Sequence, residues 1–313
     1  MALPFHVVTR YLSSSRAMAA AIKNVTVIGG GLMGSGIAQV AAQTGHHVTI
    51  IEINEDAVKK ARNGIESSLQ KVAKKLYKDK PTDAETFVKE TLSRLHTSID
   101  VKEAVKNTDL VVEAIVENID LKHKLFSSID SIAPEHTIFA SNTSSLSIQD
   151  IASVTERKDR FGGLHFFNPV PVMKLLEVIR IPETSDETYE KITAWGKALG
   201  KTTITCKDTP GFVVNRLLVP MLAEAVRMLE RGDATARDID TAMKLGASHP
   251  MGPFELADYV GNDTTKFILD GWHKKYPDVE LFKPIPLLTK LVEEGKLGRK
   301  TGQGFYTYDK NTK

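Results

Sequence analysis

The sequence predicts an α/β protein whose mostly parallel sheet carries an inserted helical hairpin and is followed by an all-α C-terminal domain. Three observations carry the prediction. The stretch Val25-Thr-Val-Ile-Gly-Gly-Gly-Leu-Met-Gly34 runs a β-branched strand into glycines at G-x-G-x-x-G spacing. An apolar helical pattern and a second strand, His47-Val-Thr-Ile-Ile-Glu52, follow it. Strand, glycines, helix, strand and terminal acid in this order are the signature of a Rossmann-like dinucleotide unit. Next, Asp109-Leu-Val-Val-Glu-Ala-Ile115 is a nearly continuous apolar run, as expected of a parallel strand covered on both faces. Finally, the texture changes near Asp208, and apolar residues then recur at helical spacing to the end.

Each element has a local reason. Strands are expected at Asn24 to Gly29 and His47 to Glu52, with a helix from Leu32 to Gln43 ended by Gly45. From Asp56 to about Lys78, Ile65, Leu69, Val72, Ala73 and Leu76 form an apolar stripe. Pro81 breaks it, and a second helix from Ala84 to Leu95 completes the hairpin. A helix is expected from Asn118 to Ile132, with strands at Thr137 to Ser141, Arg160 to Phe167 and Leu175 to Arg180. Glu187 to Leu199 is the last helix of the unit, capped by Gly200, and Thr202 to Cys206 its last strand. Lys207-Asp-Thr-Pro-Gly-Phe212 supplies a cap residue and a proline for a helix expected from Phe212 to Arg231, which Pro220 should kink. Further helices are expected at Ala236 to Lys244, Phe254 to about Tyr276 and Pro286 to Glu294. The expected domains are residues 22–208 and 209–313, behind a leader at 1–21.

Composition narrows the function classes. The 313 residues carry a net charge of +2, so bulk charge implies no nucleic-acid partner. No apolar run reaches the length of a membrane-spanning helix. The single cysteine, Cys206, excludes an internal disulfide framework and reads as an inert core residue. No metal-ligand cluster is expected. The leader contains Arg10, Arg16 and Ser13-Ser-Ser15, and no acid precedes Glu52. That composition suggests a mitochondrial transit peptide, with the mitochondrial matrix as destination; the alternative is a short disordered cytosolic extension, or initiation at Met18.

The glycine turn predicts the cofactor. Gly29, Gly30 and Gly31 permit the turn and the approach of a pyrophosphate, and Gly34 lets the helix pack on the strand. Leu32 and Met33 open the helix, whose free N–H groups and positive dipole end suit phosphates. Glu52 would accept hydrogen bonds from ribose hydroxyls, and its charge repels a 2′-phosphate. The cofactor is therefore expected to be NAD rather than NADP.

Three strand ends carry polar residues that can do chemistry. Ser144 follows a strand, where a serine either meets substrate or caps a helix. His165, in Gly163-Leu-His-Phe-Phe-Asn-Pro169, lies opposite Leu164 and Phe166 and close to the strand's mouth. An imidazole there can act as a general base or sit in the core as a satisfied histidine. Glu177, inside an apolar strand, needs a partner unless that strand is an exposed edge. A carboxylate on one imidazole nitrogen fixes the tautomer and frees the other nitrogen to take a proton, so His165 and Glu177 form a candidate pair. Asn215, an amide amid apolar residues, either holds that pair or caps a turn. Lys71, Lys74, Lys75 and Lys78 share one helix face with Ser68 a turn or two earlier, a solvated face or an anion site.

With these residues in view, the chain resembles the 3-hydroxyacyl-CoA dehydrogenases. The resemblance rests on the glycine stretch, Ser141-Asn-Thr-Ser-Ser145, Leu164-His-Phe-Phe-Asn-Pro-Val170, Asp208-Thr-Pro-Gly-Phe212 and Met251-Gly-Pro-Phe254, and runs from about Lys23 to Tyr308. It implies oxidation of the 3-hydroxyl of an acyl-CoA with NAD, in fatty-acid β-oxidation. It makes His165 the base and Glu177 its orienting carboxylate, with Ser144 and Asn215 beside them. It places Glu52, Glu117, Lys122 and Lys300 on the cofactor, and Ser68, Lys75 and Asn168 on coenzyme A. It also implies a homodimer formed through the C-terminal domain. Where relatives usually carry Asp, this chain has Glu52, which keeps the charge and lengthens the reach.

Two other readings compete. A relative acting on a free hydroxy acid would have no use for the lysine face, and acetoacetyl-CoA tested against free acetoacetate separates the two. A structural or NAD-sensing protein on the same scaffold would be expected to have lost the proton-transfer pair, and both residues are present.

Overall fold

A computed structural model describes residues 22–308, so the expected leader lies outside the described residues. Its first unit is the expected one: β1 (Asn24–Ile28), α1 (Leu32–Gln43) and β2 (His47–Ile51), with β1 and β2 parallel. The hairpin follows as α2 (Glu55–Leu76) and α3 (Pro81–Ser93). Asn54 caps α2 by accepting the Ala57 N–H, and Pro81 opens α3 rather than merely separating the two. Past α3 comes β3 (Leu95–Ser98), paired in parallel with β2. The sequence reading placed Leu95 at the end of a helix and missed this strand. The helical hairpin is thus the crossover between β2 and β3, lengthened to two helices.

The sheet continues through α4 (Val101–Ala104), β4 (Leu110–Glu113), α5 (Ile119–Asp130), β5 (Ile138–Ser141), the short α6 (Ile148–Ala152) and β6 (Phe161–Phe166). Then come β7 (Leu175–Arg180), α7 (Asp186–Ala198) and β8 (Thr202–Lys207). The eight strands run in the order β3-β2-β1-β4-β5-β6-β7-β8. Every neighbouring pair is parallel except β6 and β7. β1 lies between β2 and β4, so the strand order reverses there and opens a crevice beyond the carboxyl ends. Buried residues fill both faces. One layer includes Val27, Ile50, Leu69 and Leu164, and the other Val111, Phe126, Phe139 and Phe161.

After β8 the chain is helical: α8 (Val214–Arg231), α9 (Ala236–Gly246), α10 (Pro253–Val260), α11 (Asn262–Lys275) and α12 (Pro286–Glu293). A separate apolar cluster, with Val226, Phe254, Trp272 and Phe282, holds them together. Two expectations need correction. The single helix expected from Phe254 to Tyr276 is two, because Gly261 adopts φ +109° and ends the first. α8 starts at Val214 rather than Phe212, because Gly211 and Phe212 turn the chain with positive φ. α8 continues through Pro220. Among the described residues no helix is long and apolar enough to cross a membrane.

Candidate active site

The glycine turn leads straight into α1. A Cβ on Gly34 would stand 1.7 Å from the Gly29 carbonyl oxygen, so the close approach of helix to strand requires glycine there. Gly31 faces open space, since a Cβ on it would meet nothing within 4 Å. It also begins α1 without any side-chain cap. The first-turn N–H groups of a helix have no acceptor within it, so an anion can sit against them. Glu52 is half-buried at the end of β2, accepting the Gly30 N–H at 2.7 Å and the Ile53 N–H at 3.1 Å. A cavity of about 540 Å³ spans this turn, lined by Gly31, Leu32, Glu52, Ser68 and Asn168. An open turn, uncapped helix dipole and acid at the lip fit a dinucleotide's pyrophosphate and ribose.

The second centre comes from the one antiparallel pair. β6 and β7 set His165 directly opposite Glu177. Opposed residues of antiparallel strands lie on the same face with Cβ atoms about 5 Å apart. His165 Nδ1 meets Glu177 Oε2 at 2.6 Å, and both side chains are buried. The other carboxylate oxygen, Oε1, accepts the Val213 and Val214 N–H groups at 3.1 and 2.9 Å. α8 has no side-chain cap of its own, so Glu177 takes that place. The carboxylate is thereby held by the positive end of the helix as well as by the imidazole. The alternative of a solvent-facing edge strand is excluded: Glu177 is 0% exposed, and β8 covers β7 on its outer side. Phe167 and Phe212 pack with tilted rings against the imidazole, at 4.6 and 5.5 Å between ring centres. With Nδ1 committed to Glu177, Nε2 has no hydrogen bond among the described residues.

A cleft of about 500 Å³ joins the two centres, and Met33, Lys122, Ser144, His165, Asn168 and Asn215 line it. Thr264 and Phe267 of α11 close its far side. Ser144 is exposed, and the cap of α6 is Ser147, which accepts the Asp150 N–H. Asn215 is half-buried, but backbone N–H groups, not its amide, hold Glu177. Cys206 is buried in β8, with its thiol pushed up to about 12 by burial and then by the charges of Glu177 and Asp208.

One wall of the cleft is a charge network that sequence reasoning saw only in part. Lys122 and Glu117 were expected there; Glu113, at the end of β4, was not. Lys122 is fully buried and donates to Glu113 at 2.6 Å, with Glu117 at 3.3 Å. Glu113 also accepts the Ile115 N–H at 2.7 Å and the Ser141 hydroxyl at 2.6 Å. Glu117 gathers the next turn, accepting the Thr143 hydroxyl, the Ser144 and Ser145 N–H groups and the Ser145 hydroxyl. Burial pushes the Glu117 carboxyl up, but the Lys122 charge and the hydrogen bonds from Thr143, Lys122 and Ser145 outweigh it, leaving the group below the ordinary carboxylate range. The available signal was Glu113 itself, a carboxylate in an apolar strand, the same signal that marked Glu177.

Two expected contact residues stand outside the two cavity linings. Lys300 lines neither cavity and is tied to both carboxylate oxygens of Asp263 at 2.6 and 2.7 Å. Lys75, exposed in the last turn of α2, also lines neither, whereas Ser68 and Asn168 share the first cavity. Lys78 falls beyond the end of α2, so the expected lysine face is shorter than its spacing suggested. Among the described residues no group of three His, Cys, Asp or Glu could hold a metal.

A sheet that reverses its strand order at a glycine turn, with a buried imidazole–carboxylate pair across the same crevice, has the build of a nicotinamide-dependent dehydrogenase. Comparison with known proteins narrows this. Residues 24–209 match the family model of the 3-hydroxyacyl-CoA dehydrogenase NAD-binding domain, and residues 211–308 that of the 3-hydroxyacyl-CoA dehydrogenase C-terminal domain. The chain is 62% identical over 287 residues to the mitochondrial hydroxyacyl-coenzyme A dehydrogenase of Rattus norvegicus, covering 92% of this chain and 91% of that one. Identity to the human protein of the same name is 61% over 300 residues, covering 95% and 96%. The crystal structure of (S)-3-hydroxybutyryl-CoA dehydrogenase from Ralstonia eutropha superposes with a TM-score of 0.87 at 46% identity, over 93% of this chain and all of that one. The chain therefore belongs to the 3-hydroxyacyl-CoA dehydrogenase family and is an NAD-dependent enzyme of that activity.

Proposed function

We propose that this enzyme oxidises L-3-hydroxyacyl-CoA to 3-ketoacyl-CoA in fatty-acid β-oxidation, with His165 as general base and Glu177 as its orienting carboxylate. The observation that carries the reading is the buried 2.6 Å bond between His165 Nδ1 and Glu177 at the edge of the cleft. Neutral His165 donates its Nδ1 proton to Glu177 and takes the substrate's hydroxyl proton on Nε2. NAD, when bound, supplies the hydride acceptor. As the imidazolium forms, its charge falls beside a carboxylate already held by two N–H groups, so no reorganisation is needed. In reverse, the imidazolium returns the proton to the developing alkoxide.

Gly29 to Gly34 and Glu52 would hold the pyrophosphate and adenosine ribose, and Glu117, Lys122 and Ser144 the nicotinamide end. Ser144 and Asn215 also face the reacting carbon in this reading, and Ser68 and Asn168 the coenzyme A. Lys75 and Lys300 reach the ligands only if the open cleft closes on them. Residues 22–208 and 209–313 act as the two lobes, with the second also forming a homodimer. The names of the relatives support a mitochondrial enzyme, and the composition of the leader suits import into the matrix.

The test is a set of three variants assayed with acetoacetyl-CoA and NADH. His165→Gln and Glu177→Gln each lower kcat by about 10²-fold or more. The double variant falls no further than His165→Gln alone, because the pair acts as a unit. Near wild-type turnover in either single variant contradicts the assignment.

A further inference from the structure

Beyond the proton-transfer pair, the cleft wall carries an unbalanced charge. Lys122 is the one ammonium between two carboxylates, Glu113 and Glu117, and it is not shared equally: 2.6 Å to the first and 3.3 Å to the second. Glu113 is 0% exposed, and its carboxylate accepts hydrogen bonds from Lys122, the Ile115 N–H and the Ser141 hydroxyl. These three donors come from α5, the loop after β4 and the end of β5, so the carboxylate is locked in place. Glu117 is 28% exposed and lines the cleft beside His165.

We propose that Glu113 is a positioning residue that sets the charge seen by the nicotinamide. Two carboxylates share one ammonium, so the group keeps a net charge of −1, and by drawing Lys122 closer to itself Glu113 leaves that excess on the Glu117 side, which faces the cleft. That charge favours the cationic, oxidised ring over the neutral, reduced one. Without the Glu113 charge, Lys122 would neutralise Glu117 instead, and the distinction between the two redox forms would weaken. The inference rests on the proposed nicotinamide position.

The test compares dissociation constants for NAD⁺, by isothermal titration, and NADH, by fluorescence. Glu113→Gln is expected to weaken NAD⁺ relative to NADH by about tenfold, the scale of one unit charge several ångströms away in a partly solvated site. The double variant Glu113→Gln with Lys122→Met removes one charge of each sign, restores the net −1 and is expected to return the ratio to the wild-type value. If Glu113→Gln does not fold, the double variant is compared with a triple variant that adds Glu117→Gln, and only the triple loses the preference. Equal weakening of both redox forms by Glu113→Gln, or a double variant that does not recover the ratio, overturns the proposal. So does a triple variant that keeps the ratio. If His165→Gln loses turnover while Glu113→Gln leaves the ratio unmoved, the charge inference alone fails, whereas retained turnover in His165→Gln sinks the reading of the cleft itself.

Discussion

Behind the cleft stand two buried carboxylates that begin from the same sequence signal and meet different partners, each of which lines it. Glu177 and Glu113 each stand in an apolar strand, and each is 0% exposed. Glu177 faces an imidazole, a partner that can gain and lose a proton, and completes its coordination with two backbone N–H groups. Glu113 faces an ammonium and completes its coordination with a hydroxyl and an N–H. The lesson is that burial alone does not mark a proton-transfer group. The partner decides: in the proposed mechanism the imidazole makes Glu177 part of a moving charge, while an ammonium makes Glu113 part of a fixed one.

The comparison can be pressed at the fixed centre. Lys122→Met strands two carboxylates against each other, and breaking a buried pair in this way costs about 3–5 kcal/mol of stability. Lys275→Met removes the ammonium from Asp150 at 2.6 Å, but both side chains are about half exposed, so the expected loss is no more than about 1 kcal/mol. Denaturant unfolding of the two variants checks the difference, and equal losses would mean that the Lys122 network is not the buried keystone described above.

A smaller effect lies in acid. The folded-state pKa of Glu117 is lowered from its ordinary value of 4.5, so its stabilising contribution is complete above that value and is lost as pH falls through the lowered one. Glu117→Gln should therefore unfold with a shallower pH dependence below about 4.5 than wild type. A slope as steep as wild type would show that Glu117 gains nothing from Lys122 and the Thr143–Ser145 turn.

Much of this arrangement could be read from residues, because local chemistry and strand spacing dictated it. The glycine turn, Glu52 and the facing of His165 toward Glu177 follow from motifs within short stretches. The missed features depend on contacts that no local pattern records. β3 has only four residues, and the helical hairpin before it hides its pairing with β2. Glu113 looked like part of an apolar strand because its ammonium comes from α5 and its hydroxyl donor from the end of β5. The split between α10 and α11 was visible in principle at Gly261, whose positive φ ends the first helix, but the apolar pattern runs on through it. Lys75 and Lys300 were assigned by resemblance; neither lines the two cavities, one being exposed and the other tied to an aspartate.

The most direct measurement of the central claim is the ¹⁵N NMR signature of His165 at a pH where its ring is neutral. The account predicts the tautomer protonated on Nδ1, donating to Glu177, with an unprotonated Nε2 facing the cleft. A proton found on Nε2 instead would leave no lone pair toward the substrate and would contradict it.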